Sequence, residues 1–544
     1  MTLVPREFFA RATANIAAWG DTDVFPLPLE NHVFHDKAPE AVDLLESMSS
    51  DIQSELSTNP PINHSALTPL GYTGFRWATQ LDPIWNACFL GTVLSMAGNI
   101  EAVRIPEVEE VVFSHRYRET DPSDAAGTST SLFDREGWSK FQEKSRSLAE
   151  DSTYVVTLDI ADFYGRIYHH RLENQLRYVL PSGDQRVKNV MDMLMSFGGG
   201  VSYGLPVGGP AARILSELVL NSVDRLVRSQ FANVRFVRYA DDFRFFASSL
   251  EEAYSAIGYL SEKLQRNEGL ALQRHKTRIL TSSEFVSTLR PDEPRPGSAA
   301  KFLGLSLYFD PYSATADQDY EVLQDQLDEF DVLGLLRTEL SKGRVDISLT
   351  RRLIGALKLM DSRVMQQAIF SLLDNLEVLT PVVPHVMRAI RDNVSSLDET
   401  AQAEVQVRVR NLITSNHQIA QVDVNLSYIV RVLAQFKCQE NEDLLIRMFP
   451  GPHGYAQAPS PGIQHDIMLA LGRWEANYWL HDQKQHFSTM HSWVKRAFIV
   501  SSFVMGDAGS HWRKGTRRTF SPFERLLSDW TADRKQSGSW EIPL

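Results

Sequence analysis

Two adjacent acidic residues, Asp241 and Asp242, stand between two segments rich in aromatic residues. Residues 235–248 read Arg-Phe-Val-Arg-Tyr-Ala-Asp-Asp-Phe-Arg-Phe-Phe-Ala-Ser, a composition that favours strands on both sides of the pair. The pattern predicts a hairpin with two carboxylates at its tip. Adjacent carboxylates repel each other, and hairpin turns usually take Asn-Gly or Asp-Gly. Two explanations remain open at this point: a cation held at the tip, or plain exposure to solvent.

A third acid, Asp159, ends a nearly continuous apolar segment. Residues 154–164 read Tyr-Val-Val-Thr-Leu-Asp-Ile-Ala-Asp-Phe-Tyr. Such a run is typical of a buried central strand, and a carboxylate at the C-terminal end of that strand lies at the rim of the sheet, where sites are commonly built. Asp162, three residues later, has a simpler interpretation as a residue that faces solvent.

A turn rich in Gly and Pro lies between these two segments. Residues 202–210 read Ser-Tyr-Gly-Leu-Pro-Val-Gly-Gly-Pro, and Pro210 suits the first turn of a helix. The apolar residues that follow have helical spacing, at Ile214, Leu215, Leu218, Val219, Val223 and Leu226. Junctions of this kind are common, so the order of the segments is more informative than the turn alone.

Two further segments flank the acidic ones. The sequence of residues 108–134 predicts a strand at 108–113, followed by a loop rich in Asp, Ser, Gly and Thr. Together they have the pattern of a hairpin, and this hairpin carries arginines. An arginine there is either a solvated turn residue or an anion ligand, since its guanidinium offers several donors in one plane. Residues 270–280 include Lys276, and residues 301–308 predict a strand with a glycine inside it.

The composition limits the classes of protein to which this chain can belong. The 544 residues are 43% hydrophobic and 23% charged, which is ordinary for two to four globular domains. Cys88 and Cys438 are the only cysteines, which fits a reducing cytoplasm and argues against a disulfide scaffold or cysteine-ligated zinc. No segment approaches the length of a membrane span. The net charge of −13 is unhelpful for nucleic-acid binding, but residues 1–150 carry 22 acidic and 11 basic residues, so the rest of the chain can still form a basic channel.

The two ends of the chain differ in character. Residues 1–105 are acidic and rich in proline, with helices expected near 39–55 and 83–97. From residue 311 onward the pattern predicts helices with short connections, either an α-solenoid of the HEAT kind or an irregular helical domain. A basic cluster with an interleaved aromatic residue is either a strand-binding surface or a solvated loop. Its basic residues are Arg513, Lys514, Arg517 and Arg518.

In their order along the chain, these segments resemble the palm motifs of reverse transcriptases, over roughly residues 105–310. With the helical tail, the chain is similar to bacterial abortive-infection and defence-associated reverse transcriptases. The resemblance implies an α+β fingers and palm followed by an all-α HEAT-like domain, divided into an N-terminal extension with part of the fingers (1–105), fingers and palm (106–310) and a helical domain (311–544). The motifs are Asp159 with Tyr164, Gly204 to Gly208, Tyr239-Ala-Asp241-Asp242, the Lys276 strand and the Phe302-Leu-Gly-Leu strand.

The chemistry implied by this resemblance is nucleotide addition assisted by two Mg²⁺ ions, for which Mn²⁺ can substitute. Mg²⁺ takes hard oxygen ligands and keeps part of its water shell, so a few carboxylates suffice. Asp159 and Asp241 would converge on the ions, with Asp242 as an auxiliary acid. The implied catalytic residues are Asp159, Asp241 and Asp242, and the implied metal site comprises Asp159, Ile160, Asp241 and Asp242.

The resemblance also implies a nucleotide site. An aromatic ring at Tyr164 would clash with a 2′-hydroxyl and so favour deoxynucleotides, and Lys276 would neutralise the leaving pyrophosphate. Val207 stands where related enzymes usually carry a glutamine, and valine cannot make that hydrogen bond, which raises the possibility of relaxed templating. The implied nucleotide-binding residues are Arg116, Phe163, Tyr164, Pro206, Val207, Gly208 and Lys276.

The resulting hypothesis is an Mg²⁺-dependent DNA polymerase in antiphage defence. It uses deoxynucleotides to make DNA, either without a template and primed on protein, or by copying a non-coding RNA. The alternative from another class is an interaction platform with a silent palm, which the three retained carboxylates disfavour because they repel each other. A conventional retroelement enzyme is disfavoured because the tail lacks a zinc-binding or endonuclease pattern. We expect a cytoplasmic homo-oligomer with no membrane partner.

Overall fold

The computed structural model describes residues 3–20, 22, 24–119, 131–134, 136–231, 234–289, 302, 330–538 and 540–544. The chain forms two compact units. The first contains residues 1–63, 79–292 and 521–526, and the second contains residues 64–78, 293–520 and 527–544. The units therefore differ from the predicted boundaries near 105 and 310, because the N-terminal helices pack within the unit that carries the acidic hairpin.

Within the described residues, the strands form a two-stranded sheet, β1-β2, and a four-stranded antiparallel sheet in the order β4-β5-β3-β6. The first of these sheets was not expected, because the sequence of residues 1–105 predicted only helices. The strands are β1 (His64–Leu70), β2 (Gly74–Gln80), β3 (Tyr154–Asp159), β4 (Arg235–Tyr239), β5 (Asp242–Ala247) and β6 (Arg278–Thr281).

The four-stranded sheet is buried on both faces, as the apolar runs predict. On one face, helices that flank the sheet cover Val155, Val237 and Phe246 with the rings of Phe141 and Phe285. On the other face, three buried rings from β4 and β5 stack on one another, with centroids 5.6–6.5 Å apart. Those rings are Phe236, Phe243 and Phe245. Aromatic packing on both faces thus holds the hairpin that carries the acids.

The helices of the first unit surround this sheet. The helix predicted to begin at Pro210 is confirmed, and its buried face includes Ile214, Leu215 and Leu218. The helices are α1 (Arg6–Trp19), α2 (Glu30–Asp36), α3 (Ala38–Ser50), α4 (Ile52–Thr58), α5 (Pro83–Val103), α6 (Gly137–Glu150), α7 (Phe163–Arg166), α8 (His169–Val179), α9 (Gln185–Phe197), α10 (Pro210–Gln230), α11 (Leu250–Lys263) and α12 (Ser282–Leu289).

The second unit is mostly helical, as predicted, and its described residues 330–538 contain no strand. The helices are α13 (Val332–Leu340), α14 (Ile347–Ala356), α15 (Ser362–Asp374), α16 (Val383–Asn393), α17 (Glu399–Thr414), α18 (Asp423–Leu433), α19 (Gln439–Met448), α20 (Pro461–Arg473), α21 (Asn477–Gln483), α22 (Ser492–Ser501), α23 (Gly506–Thr516) and α24 (Pro522–Gln536). Alternate helices form a row in which each packs against the next: α14 against α16, α16 against α18, α18 against α20, and α20 against α22.

Two predicted strands have different outcomes. The strand expected at 108–113 is wrong: residues 107–109 form a 3-10 turn, and only Val112 pairs, with Arg238 of β4. Apart from Phe302, which is buried, the strand expected at 301–308 lies outside the described residues. Across the described part of the chain, no helix is long and apolar enough to cross a membrane.

The buried His64 makes the second unit sensitive to acid. Burial lowers the pKa of His64 to about 4, with Asp466 opposing the effect and His491 and His465 adding to it. The unfolded chain takes up this proton near pH 6.5, so we expect the stability contributed by neutral His64 to be complete above pH 6.5 and to be lost as the pH falls toward 4. The loss is about 3 kcal/mol.

Urea unfolding between pH 7.5 and 4.5 measures this loss. The slope of unfolding free energy against pH should be smaller in His64→Gln than in the wild type, and unchanged in His35→Gln, whose imidazole is exposed. Equal slopes in all three proteins would contradict the expectation.

Candidate active site

The register of the sheet brings the predicted acids together. Asp159, the last residue of β3, pairs with Asp242, the first residue of β5. The backbone N–H of Ile160 donates to the carbonyl oxygen of Asp241 at 3.3 Å. Ala240, in the hairpin turn, has a left-handed φ of 51°, a strained conformation that the surrounding structure must maintain. The predicted hairpin is therefore present, and Asp159, Ile160, Asp241 and Asp242 are neighbours.

The electrostatics of this cluster favour a bound cation. Burial, followed by the charges of Asp159 and Asp242, raises the pKa of Asp241 to about 6. Burial and Asp159 likewise raise the pKa of Asp242. A cation would relieve both the repulsion and the desolvation of these carboxylates.

Lys276 supplies one positive charge to the cluster. Its Nζ donates to Oδ2 of Asp159 at 2.6 Å, although its side chain is 64% exposed. The turn that carries it is tied to the same residue, because the N–H of Gln273 donates to the carbonyl of Asp159 at 2.7 Å. Partial desolvation opposes the charge of Lys276, but the hydrogen bond and charge of Asp159 raise its pKa. The predicted Lys276 strand is instead a turn that precedes β6.

The residues present fit Mg²⁺ by donor type, since all three acids offer hard oxygens. As placed, no group of three or more His, Cys, Asp or Glu side chains among the described residues is arranged to hold a metal ion. One oxygen of Asp159 is engaged by Lys276. The second oxygen of Asp159, Oδ1, can still ligate a cation.

Tyr164 lies beside the acids, on the short helix α7. Ser216 of α10 lies near its hydroxyl, and Asp241 is one of the charges that act on it. Burial raises the pKa of Tyr164 to about 12, so the phenol is neutral. Phe163 is buried beneath it, with ring centroids 5.2 Å apart.

The Gly-Pro turn docks on the same helix. The N–H of Leu205 donates to the carbonyl of Tyr164 at 2.8 Å. Gly204 and Gly208 both have left-handed φ angles, of 93° and 99°, which glycine adopts without strain. Pro206 and Val207 line a small cavity with Phe89 and Ala211. Pro206, Val207 and Gly208 thus directly follow Leu205, the residue of the turn that bonds to the backbone of Tyr164. The side chain of Val207 faces the cavity.

A buried ionic cluster supports the hairpin from behind. Arg238 has no exposed surface and forms a two-point bond to Asp224, at 2.8 and 2.7 Å. It also donates to Glu217 at 2.9 Å and to the carbonyl of Ala240, in the hairpin turn, at 2.8 Å. Arg104 shares Glu217 at 2.8 Å. Burial alone would raise the pKa of Glu217, but the charges of Arg238 and Arg104 lower it to about 2.

The structure contradicts the assignment of Arg116 to the nucleotide. Its guanidinium is 2% exposed and donates to the carbonyls of Val112 and Ile105 and to the carboxylate of Glu101, at 2.7–2.9 Å. Its donors are therefore used within the protein, where they fix the loop that the sequence analysis took for a strand. Arg116 is a structural residue of this loop.

The basic cluster of the second unit is divided. Arg513 is partly buried, with its guanidinium 3.6 Å above the ring of Phe503 and a 2.6 Å hydrogen bond to the carbonyl of Ser502. Arg517 pairs with Asp529 at 2.8 Å. These contacts contradict a nucleic-acid role for Arg513, whereas Lys514 and Arg518 are exposed.

The supporting acids are the residues that the sequence analysis missed. Glu217 and Asp224 lie on the buried face of α10, seven residues apart, among the apolar positions that predicted the helix. Charged residues inside an apolar stripe are rarely buried unless paired. That pattern, together with an arginine inside the β4 segment, was the available signal.

The antiparallel sheet with its acidic hairpin defines a polymerase palm, and the comparisons agree with this class. Residues 113–334 match the family model described as "Reverse transcriptase (RNA-dependent DNA polymerase)". This part of the chain is a reverse transcriptase domain, so the predicted palm and the mostly helical region after it are confirmed. No curated protein matches the chain.

Solved structures with similarity to the chain include two yeast telomerases. Telomerase from Candida albicans, in complex with a TWJ fragment of telomeric RNA, has 13% sequence identity, covers 67% of this chain and 68% of its own, and gives a TM-score of 0.29. Apo telomerase from Candida tropicalis has 11% identity, covers 75% of this chain and 70% of its own, and also gives a TM-score of 0.29.

Removing one charge from the ionic cluster should destabilise the first unit. Glu217→Gln keeps the side-chain size but leaves Arg104 and Arg238 with too little negative charge in a buried site. We expect the unfolding free energy to fall by about 3–5 kcal/mol, measured by urea denaturation at pH 7.5. Glu251→Gln, on an exposed turn of α11, is the matched control and should change it by less than about 0.5 kcal/mol. Equal effects of the two substitutions would refute the supporting role of Glu217.

Proposed function

We propose that the chain is an Mg²⁺-dependent DNA polymerase of the reverse transcriptase type that acts in antiphage defence. The observation that carries the proposal is the pairing of Asp159 with Asp242 beside Asp241, within a domain that matches the reverse transcriptase family. The substrates are deoxynucleoside triphosphates and the product is DNA.

Each residue of the site has a distinct role in this proposal. Asp159, Asp241 and Asp242, with the backbone of Ile160, would hold two Mg²⁺ ions, for which Mn²⁺ can substitute. Bound there, the ions would stabilise the attacking and leaving oxygens of an in-line displacement at phosphorus. Lys276, already within hydrogen-bond reach of the acids, is placed to neutralise the leaving pyrophosphate.

Tyr164 sets the choice of sugar in this proposal. Its ring packs against Phe163, and Ser216 of α10 lies near its hydroxyl, so neighbouring groups restrict the movement of the side chain. A fixed ring beneath the sugar excludes a 2′-hydroxyl and therefore favours deoxynucleotides.

Val207 bears on whether synthesis follows a template. Its apolar side chain lines a cavity with Phe89 and Ala211 and cannot hydrogen-bond to a nucleotide. This supports synthesis that is relaxed in its templating, either untemplated and primed on protein or directed by a non-coding RNA. The assay below separates these two modes.

The defence role rests on the helical second unit. Its rows of alternating helices are compatible with a HEAT-like solenoid, which presents an extended surface for a partner. The resemblance to defence-associated reverse transcriptases supports a homo-oligomer that acts in the cytoplasm. A silent platform is a weaker candidate, because a palm without metal chemistry gains nothing from three repelling carboxylates.

Incorporation of deoxynucleotides is the direct test. Nuclease-treated protein with Mg²⁺ and labelled deoxynucleotides, with or without added RNA, should yield labelled DNA. Asp241→Asn should lower the rate by about 10²-fold or more, because it removes a positioned charge from the reacting centre. Growth of product without added nucleic acid would indicate untemplated synthesis, and growth only with RNA would indicate a templated enzyme.

The matched control is Asp162→Asn. Asp162 lies three residues after Asp159, its side chain is 70% exposed, and its left-handed φ of 51° is one that asparagine tolerates. This variant should retain the wild-type rate. A wild-type protein that incorporates no deoxynucleotide, with cellular RNA also supplied, would favour the platform instead.

Sugar selection gives a separate prediction. Tyr164→Val removes the ring but keeps an apolar residue, so the preference for dTTP over UTP, measured as a ratio of kcat/KM values, should fall by about tenfold or more. Tyr178→Val, which replaces an 84% exposed tyrosine on α8, should leave the ratio unchanged. An unaltered ratio in Tyr164→Val would remove Tyr164 from the sugar site.

A further inference from the structure

Arg213, in the first turn of α10, is a cation without a partner among the described residues. Its guanidinium makes no hydrogen bond or ion pair within the described part of the chain, and the side chain is only partly buried. Three buried arginines of the first unit behave differently: Arg104, Arg116 and Arg238 each donate to carboxylates and carbonyls.

Glu217 would be the natural partner of Arg213, since residues four apart on a helix are neighbours. Both of its oxygens are already engaged. Oε1 accepts from the hydroxyl of Ser114, and Oε2 accepts from Arg104 and Arg238. The fold therefore neutralises Glu217 from the interior and leaves the charge of Arg213 uncompensated.

The position of Arg213 is fixed by the face of the helix that it occupies. Ser216 and Glu217 follow it by three and four residues, so all three share one face of α10. Ser216 lies near the hydroxyl of Tyr164, and Glu217 accepts from Arg238, which also donates to the carbonyl of Ala240 in the hairpin turn. Arg213 thus lies at the N-terminal end of the helix face that borders the sugar-selecting ring and supports the acidic hairpin.

Three neutral rings lie near Arg213. Its charge acts on Tyr164, Tyr239 and His115. The rings of His115 and Tyr239 lie 5.9 Å apart, and burial lowers the pKa of His115 to about 4, so this imidazole is uncharged near pH 7. Because Glu217 is paired with Arg104 and Arg238, the charge of Arg213 is uncompensated at this aromatic edge of the site.

We propose that Arg213 binds a phosphate group of the polymerase substrates. An uncompensated guanidinium beside a neutral aromatic surface suits phosphate oxygens, to which it can donate two parallel hydrogen bonds. The phosphate belongs either to the incoming nucleoside triphosphate or to the backbone of a bound strand. This inference rests on the proposed function and adds to it a binding residue that the sequence motifs did not reveal.

The test compares Arg213→Gln and Arg213→Lys with the wild type in two measurements. The first is the Kd for a fluorescent DNA primer annealed to an RNA template, measured over a range of salt concentrations. The second is KM for dTTP in the incorporation assay. Arg228→Gln is the matched control, because Arg228 lies on the last turn of α10 and pairs with Glu109 at 2.6 Å.

If a strand phosphate is bound, Arg213→Gln should raise the Kd about tenfold, and the slope of log affinity against log salt should fall by about one. If the triphosphate is bound, KM for dTTP should rise about tenfold instead. Arg213→Lys should recover part of either loss, because it restores the charge without the planar fork, and Arg228→Gln should match the wild type.

Two results separate failure of this inference from failure of the proposed function. A wild-type protein that incorporates dTTP, together with an Arg213→Gln variant whose Kd, salt slope and KM lie within twofold of wild type, overturns the role of Arg213 alone. A wild-type protein that neither incorporates dTTP nor binds the primer–template overturns the proposed function and the inference with it.

Discussion

The buried guanidinium of Arg238 is the interaction on which the candidate site depends. It is fully enclosed, and a charge in such a place costs several kcal/mol unless it is paired and hydrogen-bonded. Asp224 and Glu217 supply the pairing from α10, and the carbonyl of Ala240 takes a further donor. The same side chain therefore anchors a helix and holds the turn from which Asp241 projects. Because Arg238 immediately precedes Tyr239-Ala-Asp-Asp, support and function are encoded in one short segment.

Helix α10 extends this support to the rest of the site. Glu217 links the hairpin to Arg104 and to the loop of Ser114, while Ser216 lies near the phenol of Tyr164. The turn that precedes the helix is tied to the backbone of Tyr164. Elements distant in sequence thus share one helix face, and the acids, the aromatic ring and the free Arg213 keep fixed relative positions through it.

The sequence predicted those elements of the site whose structure is determined by local residue patterns. The hairpin of Asp241 and Asp242, the strand that ends at Asp159 and the helix from Pro210 follow from alternation, apolar runs and turn residues. Prediction from the sequence failed where tertiary contacts decide: Arg116 looked like a ligand and is buried, whereas Arg213 attracted no notice and has no partner in the described part of the chain. An arginine in a loop or helix carries no local sign of which acids reach it, so those assignments required the structure.

The central claim is that Asp159 and Asp241 bind divalent cations, and counting bound Mn²⁺ by EPR tests it most directly. The full chain is titrated with Mn²⁺ in the presence of a non-hydrolysable deoxynucleoside triphosphate. The account predicts bound Mn²⁺ in the wild type and in Asp162→Asn, and loss of that binding in Asp159→Asn and Asp241→Asn. Equal Mn²⁺ binding by all four proteins would contradict it.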